Sequence, residues 1–242
     1  MINLEYNNKF YASLSSNYDL RYSGAEGDYH KALETDLLRS MIDVKNKSIL
    51  DIGTGTGRLI FEFAQEAAEL TGIDISSKMI EIAKGKNTNP SKCKFLLMDA
   101  RNLEFNTSHF DIVFSFGSFE FVENLIPYLE QVNKVLKSNG EFVFTCLNKY
   151  PLFGVLPRKE TVISHSFLDL KKSLEDSGFD VKKVISSFFI PFQLVWGAYF
   201  KLTSPKLKMY WIKLIISIET FFLKIPFLRY KGMQFMFLCV KR

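Results

Sequence analysis

The 242 residues of the chain are enough for one substantial domain with room for an added segment. A hydrophobic fraction of 47% and a charged fraction of 24% are those of an ordinary globular protein, so a sizeable core can be buried. The three cysteines are odd in number and lack Cys-x-x-Cys spacing, which argues against a disulfide framework or a zinc site and favours reduced thiols. The first residues lack a basic start followed by an apolar run, so we expect no signal peptide and a cytoplasmic location.

The basic residues are concentrated in the last quarter of the chain. The formal net charge is +5, but Ser186 to Arg242 holds nine Lys or Arg and a single acid, Glu219, which gives +8 for this quarter alone. The remainder is therefore acidic, at −3. We expect an anionic partner for this quarter, either a membrane surface or a phosphate-bearing substrate.

The first 46 residues are predicted to form an arm followed by a helix. Tyrosines at irregular intervals, in a polar context, indicate a mobile arm. Helical spacing then runs from Tyr29 to Met41 through Leu33, Leu37 and Leu38.

A buried strand, a glycine-rich turn and a helix are predicted next. Ser48–Ile52 is a short β-branched and apolar run, Gly53, Gly55 and Gly57 follow at alternate positions, and helical spacing starts at Leu59. Glycine allows positive φ and lets a ligand approach the bare backbone. The unpaired N–H groups at a helix start favour a polar or anionic ligand. The stretch therefore predicts a site for a nucleotide-type ligand.

Two further strands each end in an acid. Leu70–Ile75 has Asp74 near its end, and Lys94–Met98 is followed directly by Asp99. Because the carboxyl ends of parallel strands converge on one crevice, we expect both acids to lie near the glycine turn.

Strands and helices continue to alternate to the end of the chain. The predicted elements are a helix at Ser77–Lys84 capped by Ser76, a strand at Phe110–Phe116, a helix at Glu120–Leu136, a turn at Asn139-Gly140, a strand at Glu141–Leu147, a helix at Ser166–Ser177 ending at Gly178, and strands at Val181–Ser186 and Gln234–Val240. This alternation predicts an α/β fold, a doubly wound seven-stranded mostly parallel sheet with a helical insertion before the last strand. We divide the single domain into the arm and helix (1–46), a cofactor-binding core (47–186), the insertion (187–232) and the last strand (233–242).

The glycines and acids together narrow the choice of nucleotide. A dinucleotide fingerprint needs a third glycine where Arg58 stands, and a phosphate-binding loop needs Gly-Lys-Ser/Thr, which the turn lacks. An acid such as Asp74, ending the second strand, is suited to accept hydrogen bonds from ribose hydroxyls, and Asp99 can meet an adenine amino group. We therefore expect a nucleoside with a charged tail and no metal.

This combination resembles the class I S-adenosylmethionine-dependent methyltransferases, from roughly Lys47 to Leu147 with weaker agreement to Arg242. The resemblance is carried by DIGTGTG (51–57), GIDIS (72–76), MDARNLEF (98–105), FDIVFSFGSFEFV (110–122) and VLKSNGEFVFT (135–145). Each motif alone is weak, but together they are specific. They imply a Rossmann-like methyltransferase fold with S-adenosyl-L-methionine as the cofactor.

The resemblance also implies roles for individual residues. The backbone from Gly53 to Gly57, including Thr54, would face the methionine portion next to Asp51, and Asp74 would take the ribose hydroxyls. The remaining implied contacts are Ile75 and Met79 on the adenine ring, Asp99 and Ala100 on the adenine edge, Ser115 or Phe116 on the methyl-donor side, and Tyr18 of the arm closing over the cofactor. A plain core position fits Met79 equally well.

Residues after the fourth strand narrow the range of possible methyl acceptors. Phe116-Gly117-Ser118 stands where amino-group methyltransferases of adenine or glutamine carry Asn/Asp-Pro-Pro-Tyr, and no Pro-Cys nucleophile for cytosine is present there. A small molecule or a lipid remains. Many small-molecule members of the family carry a His where Phe121 stands, so the candidates for a general base are His165, Glu120 and, more distantly, His30. For His165 the simpler alternative is a solvated histidine beside a helix cap.

The insertion contains an amphipathic helix at Leu207–Ile225, ended by Pro226. One face carries Leu207, Tyr210, Trp211, Leu214, Ile218, Phe221, Phe222 and Ile225, and the other carries Lys206, Lys213, Ser217, Thr220 and Lys224. This pattern is typical of a helix lying on an anionic membrane surface. A lid packed on the sheet edge, or a homodimer face, would show the same pattern. Nucleic acid is not expected, because the basic residues are interleaved with a core-like face.

The sequence therefore predicts an S-adenosylmethionine-dependent methyltransferase for a small, hydrophobic or lipid-like acceptor. It would be cytoplasmic or peripheral at the inner face of the membrane. One alternative is an NAD(P)-dependent oxidoreductase, which Arg58 disfavours. Another is a non-catalytic, cofactor-binding or membrane-associated regulatory protein, which Phe121 in place of a histidine leaves open.

Overall fold

A computed structural model describes residues 19, 23–24, 27, 29, 34–122, 124–152, 162–189, 195, 198–199, 201–228 and 230–242. Tyr18, His30 and most of the predicted arm lie outside these residues.

One mixed sheet organises the described part of the chain. Its strands are β1 (Ser48–Ile52), β2 (Glu69–Asp74), β3 (Cys93–Leu97), β4 (Phe110–Ser115), β5 (Leu136–Asn148), β6 (Ser164–His165), β7 (Phe179–Ser187) and β8 (Gln234–Lys241). The order is β3-β2-β1-β4-β5-β8-β7, with the two-residue β6 beside β5. Among these strands only β8 runs antiparallel to its neighbours. The predicted α/β fold with a mostly parallel sheet is confirmed, and β6 is a short addition to the seven expected strands.

Helices cover both faces of the sheet. They are α1 (Asp36–Arg39), α2 (Arg58–Phe61), α3 (Ser77–Lys86), α4 (Leu125–Val135), α5 (Phe167–Asp176) and α6 (Pro205–Lys224), with a 3₁₀ turn at Phe119–Phe121. Because successive residues of a strand point to opposite faces, Ile49 and Val143 pack with α1 to α3 while Leu50 and Phe142 pack with α4 and α5. Two separate hydrophobic layers therefore enclose the sheet.

The position of the site follows from the strand order. The chain leaves β1 toward β2 on one side and returns to β4 on the other, so β1 and β4 form the switch point of the sheet. Ligands of open α/β sheets bind at the carboxyl ends of the strands at this point. The glycine turn after β1 and the Phe116–Ser118 segment after β4 meet there.

The predicted helix at Glu120–Leu136 is interrupted. The chain forms the short 3₁₀ turn at Phe119–Phe121, and α4 begins only at Leu125, where the Asn124 side chain accepts the Ile126 N–H at 3.3 Å. Pro127 explains the break, because a proline is tolerated in the first turn of a helix but disrupts its interior.

The predicted turn at Asn139-Gly140 is a bulge within β5. The pairing of β4 with β5 shifts register between Phe110 and Ile112, and Asn139 adopts a left-handed φ of 59°. The strand therefore continues through the residues that the sequence assigned to a turn.

The predicted helix after the glycine turn is shorter than its apolar spacing suggested. Its α-helical part ends at Phe61. From Glu62 to Ala64 the hydrogen bonds are of the 3₁₀ type, in which each N–H donates to the carbonyl three residues earlier. Leu59, Ile60 and Phe63 are nevertheless buried, as the spacing predicted.

Helix α6 buries a different face from the one the sequence favoured. Ile212, Ile215 and Glu219 are buried, whereas Leu214 and Phe221 of the predicted apolar face are exposed. Trp211, Ile218, Phe222 and Ile225 of the predicted apolar face are half-buried, so part of that face packs against the protein. In the described residues, no helix combines the length and apolarity needed to cross a membrane.

Candidate functional site

The glycine turn has a backbone conformation that requires glycine. Gly53, Gly55 and Gly57 have φ of 75°, 55° and 81°, in the left-handed region. A Cβ on Gly53 would lie 2.8 Å from the Ser118 Cβ, and one on Gly57 would lie 2.6 Å from the Phe61 ring. A Cβ on Gly55 would meet nothing within 4 Å, so this part of the turn faces open space. The turn is thus packed at both ends and open in the middle.

Asp74 holds the glycine turn to the end of β2. One carboxylate oxygen accepts the Gly55 N–H at 2.9 Å and the other accepts the Ser76 N–H at 2.8 Å. Burial raises the pKa of Asp74, and these backbone bonds oppose the shift. Ser76 is the N-cap residue of α3, as predicted, but its side chain makes no capping hydrogen bond, and its hydroxyl has no partner among the described residues.

Asp51 is a buried carboxylate with an unused acceptor. It ends β1, is 2% exposed, and its Oδ2 has no hydrogen-bond partner among the described residues. Burial raises its pKa to about 7; the neighbouring Thr54 hydroxyl opposes this shift, and the charge of Asp74 adds to it. Since native structures rarely leave such an atom unpaired, Asp51 is suited to a ligand that brings an N–H or a positive charge.

A cavity of about 490 Å³, counted to its open mouth, lies over this turn. Its lining includes five of the predicted site residues, namely Asp51, Gly53, Thr54, Gly55 and Phe116.

An ion pair from the N-terminal part of the chain closes one side of the cavity. Glu34 and Arg58 both line it, and the Arg58 Nη2 lies 2.5 Å from the Glu34 Oε2. Next to them, the Thr56 hydroxyl donates to Asp19 at 2.6 Å, and Lys86 pairs with the same carboxylate. Sequence reasoning treated Arg58 only as a missing glycine and overlooked Glu34, because no local pattern indicates a pair 24 residues apart.

The residues predicted to contact adenine lie outside the cavity lining. Asp99 accepts hydrogen bonds from the Arg101 side chain at 2.5–3.1 Å, which lowers the pKa of its carboxyl. Met79 is buried, whereas Ile75 and Ala100 are half-buried. The predicted role of Asp99 would require it to share or exchange its bonds to Arg101.

Ser115 and Phe116 face different ways. The Ser115 hydroxyl donates to the Ile52 carbonyl at 3.1 Å, contacts the Ser118 hydroxyl and accepts a bond from the Tyr128 hydroxyl at 3.0 Å. Ser115 is thus tied into the core behind the turn, and of the two predicted methyl-side residues only Phe116 lines the cavity.

Glu120 and His165 lie on neighbouring segments at the carboxyl edge of the sheet. The Ile163 N–H donates to the Glu120 carbonyl at 2.8 Å, and β6, which ends at His165, pairs with β5 at Asn148. The Glu120 Oε2 and the His165 Nε2 are buried with no partner among the described residues. Burial raises the pKa of Glu120 to about 7, with a contribution from the charge of Glu34, and burial lowers the pKa of His165. Glu120 can therefore exchange a proton near neutral pH, whereas burial favours the neutral form of His165.

The described residues contain no group of three or more His, Cys, Asp or Glu side chains arranged to hold a metal ion. The chemistry available at the cavity is that of backbone N–H groups, the Asp51 and Glu34 carboxylates, the Arg58 guanidinium and threonine hydroxyls.

The core of the chain matches a known family model. Residues 50–144 match the family described as methyltransferase domain. The chain is 29% identical over 177 residues to an uncharacterized protein of Methanocaldococcus jannaschii, covering 73% of this chain and 64% of that one. It is also 29% identical to the sterol 4-C-methyltransferase of Caenorhabditis elegans, over 47% of this chain and 35% of that enzyme. Identity to the demethylmenaquinone methyltransferase of Lactococcus lactis is 29% as well, over 59% of this chain and 58% of that enzyme. The chain thus spans less than two thirds of the length of each of these relatives.

Solved structures share the fold over nearly the whole chain. One, from Thermotoga maritima, is titled a S-adenosylmethionine-dependent methyltransferase, possible histamine N-methyltransferase. It superimposes with a TM-score of 0.67, at 16% identity, over 96% of this chain and 98% of that one. At this identity the likeness concerns the fold.

Proposed function

Because residues 50–144 match a methyltransferase domain, we propose that the chain is an S-adenosylmethionine-dependent methyltransferase of class I that transfers a methyl group to a small, hydrophobic or lipid-like acceptor. The family supports methyl transfer over the nicotinamide-dependent alternative.

The observation that carries the proposal is the unpaired Asp51 oxygen beneath an open glycine turn. S-adenosylmethionine supplies an electrophilic methyl group on a positively charged sulfur, and its methionine tail carries an ammonium group. The residues fit such a ligand, since Asp51 offers a buried carboxylate, Gly55 leaves free space, and an open cavity lies over the turn. Asp74 would accept the ribose hydroxyls with the lone pairs that Gly55 and Ser76 leave free.

The adenine end of the cofactor would lie along the segments after β2 and β3. Ile75 and Met79 would pack on the ring, and Asp99 and Ala100 would meet its edge. Asp99 is about 39% exposed at its side chain and pairs with Arg101, so a competing hydrogen bond can displace part of this pair at small cost.

The acceptor class is supported by two relatives. The C. elegans relative is named for sterols and the L. lactis relative for demethylmenaquinone, and both acceptors are hydrophobic. In this chain, Phe116 provides an aromatic wall of the cavity. The segment after β4 lacks the Asn/Asp-Pro-Pro-Tyr motif of the enzymes that methylate amino groups. A carbon or oxygen atom of a hydrophobic ring compound is the acceptor that these features favour.

Methyl transfer from a sulfonium needs alignment of the reactants and exclusion of water more than strong acid–base help. When the acceptor must lose a proton, Glu120 is the better placed base, because its raised pKa of about 7 lets it accept a proton at neutral pH. His165 would serve the same purpose or orient Glu120 from the adjacent segment.

The test combines cofactor binding with transfer. Isothermal titration should show saturable binding of S-adenosylhomocysteine, and Glu120→Gln should keep this binding while slowing transfer to the true acceptor. Binding of NAD without binding of S-adenosylhomocysteine would contradict the proposal. Cofactor binding with no transfer to a panel of sterols, quinones and phenols would contradict the acceptor class.

A further inference from the structure

Helix α6 is attached to the protein by a narrow buried face. Ile212, Ile215 and Glu219 are buried, and the Glu219 Oε2 accepts the Phe189 N–H at 2.9 Å. The Trp211 Nε1 donates to the Val195 carbonyl at 2.9 Å, so this indole is held against the protein rather than presented to a partner.

The opposite side of α6 presents an apolar stripe to solvent. Leu207, Tyr210, Leu214 and Phe221, which we call the outward face, are between 51% and 60% exposed. Their spacing of three, four and seven residues places them along one side of the helix. Phe227, directly after the helix, is 74% exposed. A contiguous stripe of large apolar side chains along about four helical turns indicates a partner surface.

The charges beside the outward face are all positive. Lys206, Lys213 and Lys224 are exposed and follow the stripe on one flank. The single acid of α6, Glu219, is buried on the other side of the helix and cannot neutralise them. An apolar stripe bordered by lysines is complementary to lipid tails beneath anionic headgroups.

The loop that follows α6 lies at the carboxyl edge of the sheet, the edge that carries the cavity. The loop after α6 is bound there, since the Leu152 N–H donates to the Lys231 carbonyl at 2.7 Å and the Asn148 Nδ2 donates to the Gly232 carbonyl at 2.8 Å. Tyr150, in the same region, is 61% exposed. A surface that met Phe227 and Tyr150 would therefore lie at the carboxyl edge of the sheet.

We propose that the outward face of α6, together with Phe227, docks on an anionic membrane surface, with the helix lying in the plane of the interface. This inference deepens the proposed function, because a lipid-like acceptor would be held at the membrane next to the cavity. The binding itself does not depend on methyl transfer.

A second copy of the chain fits this face less well than a lipid surface. A two-fold interface places the same patch against itself. Lys206, Lys213 and Lys224 of both copies would then be brought together, and no exposed acid of α6 would compensate them. Anionic headgroups provide the missing negative charge.

The test is sedimentation with vesicles, without cofactor. The protein should pellet with vesicles of phosphatidylcholine mixed with phosphatidylglycerol, and much less with phosphatidylcholine alone or at high salt. Lys206→Glu, Lys213→Glu and Lys224→Glu combined should lower the partition coefficient by about a hundredfold or more. Lys45→Glu, Lys84→Glu and Lys183→Glu make the same charge change at exposed positions elsewhere and should lower it far less.

A second pair of variants tests the apolar stripe. Leu214→Ser with Phe221→Ser should lower partitioning at least tenfold, whereas Leu97→Ser, an exposed leucine on the opposite edge strand, should not.

Three outcomes would overturn the inference. The first is that the unmodified protein does not pellet with the vesicles. The second is that both sets of lysine substitutions lower the partition coefficient equally. The third is that the protein forms a dimer without vesicles and that Leu214→Ser with Phe221→Ser dissociates this dimer. Titration with S-adenosylhomocysteine reports separately on the proposed function, because it requires no vesicles, so the failure of one proposal is distinguishable from the failure of the other.

Discussion

The glycine turn after β1 and helix α6 differ in what determines their geometry. In the turn, each constraint comes from residues close in sequence or at the end of a neighbouring strand: Gly57 packs on Phe61, and Asp74 binds Gly55. In α6, the buried face is chosen by distant residues, because Glu219 binds Phe189 and Trp211 binds Val195.

This difference explains why the glycine pattern predicted the turn, whereas the amphipathic pattern did not predict which residues of α6 are buried. A glycine with positive φ has few alternatives, so its role can be read locally. An amphipathic helix offers two faces, and the partner that covers each face is set by tertiary contacts. The following substitutions test whether the geometry of the turn is set by local contacts and the orientation of α6 by its bonds to Phe189 and Val195.

Gly57→Ala should have the largest effect. Its Cβ would lie 2.6 Å from the Phe61 ring at a φ of 81°, so strain and overpacking should lower the free energy of unfolding by about 2–5 kcal/mol. Displacement of the turn should slow methyl transfer by about a hundredfold. Gly85→Ala is the matched control, because its Cβ meets nothing within 4 Å, and it should be neutral or stabilising in urea unfolding. Equal losses in both variants would contradict the assigned role of the turn.

Asp51→Asn should change how stability depends on pH. The pKa of Asp51 is raised to about 7, above the unfolded value of about 3.9, so the folded protein retains a proton that the unfolded chain releases. The contribution of Asp51 to stability should therefore fall as pH rises from about 4 to about 7. Asp51→Asn removes this loss, which is worth at most about 4 kcal/mol.

The control for this pH dependence is Asp111→Asn. The pKa of Asp111 is lowered to about 2, with Lys137 and Ser48 as its partners, so it should stabilise the protein above pH 4 and lose that effect as pH falls toward 2. If the free energy of unfolding varied with pH in the same way in the unmodified protein and in Asp51→Asn, Asp51 would not be buried as a protonated acid.

Glu219→Ala should loosen α6 while the sheet stays intact. Loss of the carboxylate leaves the Phe189 N–H without its acceptor and removes a neighbour of the buried Tyr29 hydroxyl, at a cost of about 1–3 kcal/mol. Hydrogen exchange should quicken in α6 but not in β1 or β4. Glu219→Gln retains an acceptor oxygen and should preserve most of the protection. An unchanged exchange pattern in Glu219→Ala would show that α6 is held by other contacts.

Asp99→Asn should have the smallest effect on stability and a measurable effect on binding. The Asp99 and Arg101 side chains are 39% and 54% exposed, so losing their ion pair should cost about 0–1 kcal/mol. If Asp99 meets the adenine edge, affinity for S-adenosylhomocysteine should fall by about tenfold. Asp180→Asn, at an exposed carboxylate paired with Lys182, should leave the affinity unchanged.

The sequence predicted the strands well because buried apolar runs have few alternative structures. β1 was predicted with the observed bounds, and β4 ended within one residue of its prediction. The start of α4 was predicted too early, because helical apolar spacing continues upstream of Leu125. Pro127 instead confines the helix to begin just before it, so that the proline lies in the first turn.

The candidate site was predicted in its local part only. Asp51 and the glycines could be identified because they follow one another at the end of β1. Glu120 was named as a candidate base, but the burial of its Oε2 and the Glu34–Arg58 pair depend on contacts between distant segments. No spacing in a single sequence contains that information.

The central claim is tested most directly by isothermal titration of the intact protein with S-adenosylhomocysteine, in parallel with Gly57→Ala. We expect one-to-one saturable binding to the unmodified protein that is lost or strongly weakened in Gly57→Ala and kept in Gly85→Ala. No heat of binding by the unmodified protein up to high cofactor concentration, or undiminished binding by Gly57→Ala, would contradict a cofactor site over the glycine turn.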